Sequence, residues 1–534
     1  MGNNPSEDRL AVTSPRYGTI LEKVCEVLWA LALICLPITT FPLFSAPTNA
    51  LVSPLSILPF SFLLLIWGLP FILRKGKIPR ESLPILVFAL VVIFSCALAF
   101  FTLIPGFKGK SIAGQEVRAL FTLAVGLTFY LVTTTWVKDT NILRKSWKYI
   151  TFGGIISLAW TGVQAFYIFR HYDQYPHWLV QVQSWIAILS PSFMAKTGRV
   201  SGLTYEASWF AHQMVLVYLP IWMAASFHRT SAFRFRLFGI SAENVLLVFG
   251  LGAFFLSSPR IGLVSLFLMV FYFFLRVNLA GHRRIVENIS KRNFYLAWKS
   301  SFFKKTAIRV IPGLLIILVY GLIFIGALYI VSQRDWRLSI LVSEPPSTQE
   351  IIGLLTLDQS ILLQLSHRFI FLERMVYWLN GWNIFTQHPW FGVGLGNAGF
   401  FFPKLAPALG WSSYEIRNVL YYMVQLPNVK SLWFRLLAET GLVGFSVFLT
   451  WFYILFQSSR FSQHHHDSSI KTFALAGQLS LLAFIGEGFS IDSFAMPYLW
   501  VIAGLIAAIA VIARRKYPNM DKNIDQPSDV TMVE

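Results

Sequence analysis

The chain has 534 residues, 55% of them apolar and only 13% charged, with a formal net charge of +19. Soluble domains average about a quarter charged residues, so this composition excludes an ordinary soluble globule. The basic residues are split among many loops with no compact basic domain, so nucleic acid is not expected as a partner.

Residues 1–24 read as a polar tail, and the long first apolar run gives no sign of a cleavable signal peptide. Runs of roughly 20 apolar residues, the length that crosses a bilayer, then recur along the chain. They fall at about 25–45, 51–73, 83–104, 116–136, 149–170, 206–226, 237–257, 261–277, 310–332, 434–457, 472–490 and 497–513. The expected fold is all-α, a polytopic integral membrane protein with about twelve transmembrane helices. Between the seventh and eighth runs, Ser257-Ser-Pro-Arg260 is either a tight turn or a kink. Cys25, Cys35 and Cys96 all lie in these runs, so no disulfide framework is expected.

Loop charge sets the orientation. With the N-terminus in the cytoplasm, Lys and Arg of the short loops divide 29 inside to 7 outside, as the positive-inside rule requires. Residues 1–24 and 514–534 are then cytoplasmic tails, and 25–332 is a membrane domain of about nine helices. It carries an extracytoplasmic loop at 171–205 and a basic cytoplasmic loop at 278–309 suited to anionic headgroups. Residues 333–433 form a long extracytoplasmic loop between helices 9 and 10, and 434–513 return to the membrane.

Charges at the outer mouths of the spans come next. Glu116 and Arg118 read as an interfacial pair. Arg199 and Glu206 sit where the chain re-enters the membrane, and Glu206, Trp209, His212 and Gln213 follow at helical spacing. Arg260 reaches the same side, and so does Arg374. Three arginines from separate segments are thus available to converge. A phosphate-bearing ligand suits them, because guanidinium grips phosphate oxygens in a bidentate fork.

Within the long loop, Leu372, Met375, Val376, Leu379 and Trp382 recur at the spacing of an amphipathic helix, with Arg374 and Tyr377 off the apolar stripe. Pro389 stops that helix. Gly392, Gly394, Gly396 and Gly399 make a loop read foremost as a turn, with sugar or phosphate contact as the alternative. Lys430-Ser431 opens another apolar helix, in which Glu439 is costly unless paired and is expected to hold Arg435. The aromatic residues around Trp378 suit an interfacial belt, with sugar stacking secondary. His464-His-His466-Asp467 reads as a solvated loop rather than a metal cluster.

The stretches Arg374 to Gly396, Ser431 to Gly444, Arg199 to Ala211, Ser258-Pro-Arg260-Ile-Gly262 and Pro497-Tyr-Leu-Trp-Val resemble the O-antigen ligase and O-antigen polymerase family of bacterial envelope enzymes. They cover roughly residues 195–510 in the expected order. The resemblance implies a GT-C-like membrane glycosyltransferase of the bacterial cytoplasmic membrane, working without metal or other cofactor. Its donor would be a glycan on undecaprenyl pyrophosphate, its partners a glycan acceptor, the lipid bilayer and a chain-length regulator. Arg199, Arg260, Arg374 and Lys430 would bind the pyrophosphate, and Glu206, Arg374 and Lys430 would be catalytic. Trp209, Trp378, Gly394, Gly396, Ser431 and Glu439 would support the glycan or the loop. Ligases of this family carry a histidine followed by Asn, Ser or Gln, nine residues before Gly-x-x-Gly; here that histidine's place holds Lys430. An ammonium of ordinary pKa cannot take a hydroxyl proton, which moves the expectation to a polysaccharide polymerase with Glu206 as base. Ligase is the alternative, and a transporter or flippase the alternative of another class, although no internal repeat is visible.

Overall fold

In hydrocarbon a chain must satisfy its own backbone, and helices do so segment by segment. The computed structural model describes residues 19–42, 52–170, 175–187, 199–233, 235–292 and 343–516, with isolated positions from 318 to 340. Its helices are α1 (Thr19–Ile34), α2 (Ile57–Leu73), α3 (Leu83–Ala99), α4 (Ile112–Trp136), α5 (Thr140–Arg170), α6 (His177–Ile186), α7 (Ala207–His228), α8 (Ala242–Leu256) and α9 (Arg260–Arg292). There follow α10 (Thr348–Leu355), α11 (Gln359–Arg368), α12 (Leu372–Gln387), α13 (Leu432–Ser462), α14 (Ser468–Glu487) and α15 (Pro497–Lys516). One small antiparallel hairpin pairs Arg236–Leu237 with Ile240–Ser241. The protein is all-α and polytopic.

Among the described residues, eight helices are long and apolar enough to cross a membrane; α2 and α8 are shorter apolar helices. The expected run at 310–332 lies outside the described residues except for isolated positions. Each of the other runs overlaps a helix. Ser257–Arg260 is a turn, not a kink: α8 ends, Ser258 takes a left-handed φ of 44°, and α9 begins.

The centre of the bundle is α7, α14 and α15, each with 83% of its span buried, against 22% for α9. Helix α14 packs on α7, α9, α13 and α15, while α15 packs on α4 and α13 on α3. Two helices widen into a π-turn just ahead of a proline: α2 at Leu64–Gly68 before Pro70, and α7 at Met214–Tyr218 before Pro220. Proline has no amide hydrogen and its ring crowds the carbonyl four residues back, and a wider turn relieves both. In α7 that carbonyl, Leu216 O, accepts the Ser480 hydroxyl of α14 at 2.6 Å. The bond fixes the register of the two central helices.

Helix α13 is broken at Gly441, whose φ of 64° and ψ of −168° are not helical. The carbonyls this frees, Ala438 O and Glu439 O, accept the amides of Val393 and Gly394 at 3.0 and 3.1 Å. Beyond the break, the amides of Leu442 and Val443 donate to Pro389 O and Trp390 O at 2.7 and 3.2 Å. Ser95 of α3 closes the clasp by donating to Glu439 O and Phe391 O. A Cβ on Gly441 would stand 2.3 Å from the Trp390 carbonyl, and one on Gly392 only 2.4 Å from Glu439 C. The glycines here permit backbone to lie on backbone.

Residues 343–431 hold a second hydrophobic core around Leu372, Val376, Tyr377, Phe402, Ile416 and Val429. Of the expected stripe, Leu372, Val376 and Leu379 are buried, Met375 is half-buried, and Trp382 is exposed. Tyr377, expected off the stripe, is buried as well, because Phe402 and Glu415 cover it from the other side.

Candidate functional site

Between this second core and the ends of the central helices lies a cavity of about 1380 Å³. Arg199, Glu206, Trp209, Arg260, Arg374, Gly396, Lys430 and Glu439 all line it. They come from the stretch before α7, the starts of α7, α9 and α12, the glycine loop, and the start of α13. Trp378, Gly394 and Ser431 are not on its wall. Trp378 stacks on Phe434 with ring centres 5.7 Å apart, and the Ser431 hydroxyl donates to Gly488 O at 3.1 Å. Gly394, at φ 87°, leaves room for the Glu116 carboxylate, which a Cβ would meet at 2.8 Å.

The cationic side chains are fastened to one another's segments in series. Arg199 donates to Ser257 O and Ser258 O at 2.7 and 2.9 Å, on the turn that precedes Arg260. Arg260 donates to Ile370 O at 3.1 Å, on the turn that precedes Arg374. Arg374 donates to Lys430 O at 3.3 Å. Three of the four accepting residues, Ser258, Ile370 and Lys430, have left-handed φ, at 44°, 54° and 52°. Such a conformation costs a non-glycine residue about 1–3 kcal/mol and persists only where its surroundings enforce it.

Lys430 pairs with Glu415 at 3.0 Å, sits 4.8 Å from the centre of the Tyr377 ring, and shares Glu415 with the Tyr377 hydroxyl, which donates at 3.0 Å. Burial would raise the Glu415 carboxyl, but Lys430, the Tyr377 hydroxyl and Arg374 together hold it below the usual carboxylate range. Burial, with the Glu415 anion beside it, pushes the Tyr377 phenol well above its ordinary value. Glu439 is bound by Arg435 at 2.8 Å, and Arg435 also donates to Asp492 O. Arg435 thus satisfies a buried carboxylate that would be costly unpaired.

Glu206 stands just before α7 and accepts the Ser208 hydroxyl. One turn and more along α7, His212 lines the same cavity and pairs with Glu487 at the end of α14. Glu116 and Arg118 do not form the interfacial pair expected of them. Glu116 is buried and accepts from Asn397 of the glycine loop at 2.8 Å, whereas Arg118 lines the cavity. Their side chains leave α4 in different directions, one toward protein and one toward open space.

Glu415, Asp492 and the His212–Glu487 pair were not assembled by sequence reasoning. Glu415 lies in a loop without periodicity. His212 and Glu487 are 275 positions apart, and the only signal for them is an ionisable residue inside an apolar helix.

The arrangement can hold a ligand with several anionic oxygens at its arginine and lysine wall and a neutral, hydroxyl-bearing group beside Glu206 and Trp209. No curated protein matches the chain. Residues 245–449 match the family model described as O-antigen ligase, Wzy_C. That segment includes Arg260, Arg374, the glycine loop, Lys430 and the broken helix at Gly441. The match supports an O-antigen ligase or polymerase family domain over residues 245–449 of an all-α membrane protein.

Proposed function

We propose that this protein is a polysaccharide polymerase that transfers a glycan from undecaprenyl pyrophosphate to a second lipid-linked repeat unit. The cavity opens on the extracytoplasmic side of the bacterial cytoplasmic membrane, the orientation that the loop charges favour. Arg199, Arg260 and Arg374, three cations from distant segments lining one cavity, are the observation that carries this reading. When the acceptor hydroxyl attacks the anomeric carbon, charge builds on the departing diphosphate. Fixed guanidinium groups stabilise that charge most when water is excluded. Their carbonyl tethers leave little reorganisation for the moment of reaction. Lys430, paired with Glu415, adds a further positive charge. This charge supply does the work that a metal ion would otherwise do, so no metal is assigned. Glu206 and Trp209 form the sugar side of the cavity, where a carboxylate accepts hydroxyl hydrogen bonds and an indole face covers a pyranose.

Lys430 favours polymerase over ligase, since it fills the place of the ligase histidine and is tied to a carboxylate. Ligase is the second reading, favoured by the description of the matching family. Deleting the gene separates them. Loss of a polymerase leaves single repeats attached to the acceptor; loss of a ligase leaves long lipid-linked chains that are never attached. Normal attached chains in the deletion strain would refute both.

A further inference from the structure

The proton of the acceptor hydroxyl needs a destination, and the cavity wall contains a histidine–carboxylate pair. We infer that His212 is the general base of the transfer and that Glu487 positions it; this rests on the glycosyl-transfer reading of the cavity.

His212 is 3% exposed and Glu487 is fully buried, so the pair sits inside protein, where an acid persists only with a partner. The contact is between His212 Nδ1 and Glu487 Oε2, the two side chains coming from the central helices α7 and α14. A carboxylate only accepts, so Nδ1 carries the hydrogen of this contact, and in the neutral imidazole Nε2 is the nitrogen with the lone pair. No hydrogen bond to Nε2 is found among the described residues, and His212 is part of the cavity wall. The second Glu487 oxygen, Oε1, is buried without a partner. A structural carboxylate in a dry site would be expected to have both oxygens satisfied. Here one face of the carboxylate is committed to the imidazole, leaving its charge available to an imidazolium.

The backbone holds this geometry. The π-turn at Met214–Tyr218 follows His212 directly, and Ser480 on Leu216 O locks α14 to α7 within two turns of both residues. Glu206, the base expected from sequence, already accepts the Ser208 hydroxyl. Its role is to orient the acceptor sugar. An imidazole changes charge nearest neutral pH and is the better proton acceptor there.

In the step, the acceptor oxygen bonds to the anomeric carbon while the bond from that carbon to the diphosphate oxygen breaks. The electron pair leaves with the diphosphate toward the arginines. The hydroxyl proton passes to His212 Nε2, and Glu487 stabilises the imidazolium. Other charged groups lining the cavity include Glu206 before α7, Arg260 on α9, Arg435 and Glu439 on α13, and Asp492 after α14.

The test uses purified full-length protein in lipid nanodiscs and the lipid-linked glycan extracted from cells lacking the gene. His212→Gln should reduce turnover by about 100-fold or more, the usual range for a lost general base, while binding of undecaprenyl pyrophosphate is unchanged. His212→Ala should regain activity when imidazole is added, which a merely structural histidine would not do. Glu487→Gln should reduce turnover and move the acid limb of the rate–pH profile to lower pH, because the imidazole loses the anion that holds its proton. Full turnover in His212→Gln, or no imidazole rescue together with an unmoved pH profile in Glu487→Gln, would overturn the inference and leave the diphosphate reading standing. Undiminished undecaprenyl pyrophosphate binding in Arg374→Ala would instead remove that reading, and the inference with it.

Discussion

Arg374 donates to the backbone carbonyl of Lys430 across 3.3 Å, so one cation of the cavity wall fixes the backbone of another. Lys430 pays for this with a left-handed φ of 52°. Arg374→Lys keeps the charge but loses the fork that can hold a carbonyl and a phosphate together. We expect polymer formation in complemented cells to fall by about 100-fold, the scale seen when a fixed transition-state donor is removed, at normal protein abundance. Unchanged chain-length ladders would show that the guanidinium is not used.

The Lys430–Glu415 pair gives a pH signature. The Glu415 carboxyl is held below its ordinary value, so its stabilisation is fully present above the unfolded value. It is lost as pH falls through the lower, folded value. Thermal unfolding followed by intrinsic fluorescence should show wild type losing Tm below about pH 4.3, the ordinary glutamate range. Glu415→Gln should start lower at neutral pH and lose less in that acid window. Parallel curves for the two proteins would contradict the assignment.

The clasp at the break in α13 predicts an unequal response to glycine substitutions. Gly441→Ala places a Cβ 2.3 Å from the Trp390 carbonyl at a positive φ, and neither backbone can retreat. Expression should collapse, with a destabilisation beyond about 3 kcal/mol. Gly252→Ala on α8, with nothing within 4 Å of its Cβ, should be neutral or stabilise by up to about 1 kcal/mol. Size-exclusion profiles of the two proteins decide this.

Ser480→Ala removes the donor that satisfies Leu216 O opposite Pro220. A buried carbonyl left without a partner costs about 1–3 kcal/mol, so Tm should fall. Turnover should fall with it, because the same bond sets α14 against α7. A Tm equal to wild type would show that another donor replaces the hydroxyl.

Much of this was legible in the sequence, for physical reasons. Hydrocarbon demands long apolar helices, and those runs stand out without any tertiary information. Arg199, Arg260 and Arg374 were visible because a cation at the mouth of a span is costly unless it meets an anion. Pro389 announced an interruption, but nothing local said that the helix after Lys430 breaks at Gly441 or that the two interruptions bind one another's backbones. Tyr377 was read as facing away because periodicity registers one packed side, and a second layer supplied by Phe402 lies outside its reach. The partnership of Glu116 with Asn397 rather than Arg118 depends on where the glycine loop returns, as does that of Lys430 with Glu415.

The central claim is that Arg199, Arg260 and Arg374 grip one diphosphate. Its most direct test is the affinity of the purified protein in nanodiscs for undecaprenyl pyrophosphate, measured for wild type and for each arginine replaced by alanine. The account predicts a loss of at least about tenfold for each substitution, or about 1.4 kcal/mol, and weaker binding of undecaprenyl monophosphate by wild type. Equal affinity across the four proteins, or no preference for the diphosphate, would contradict it.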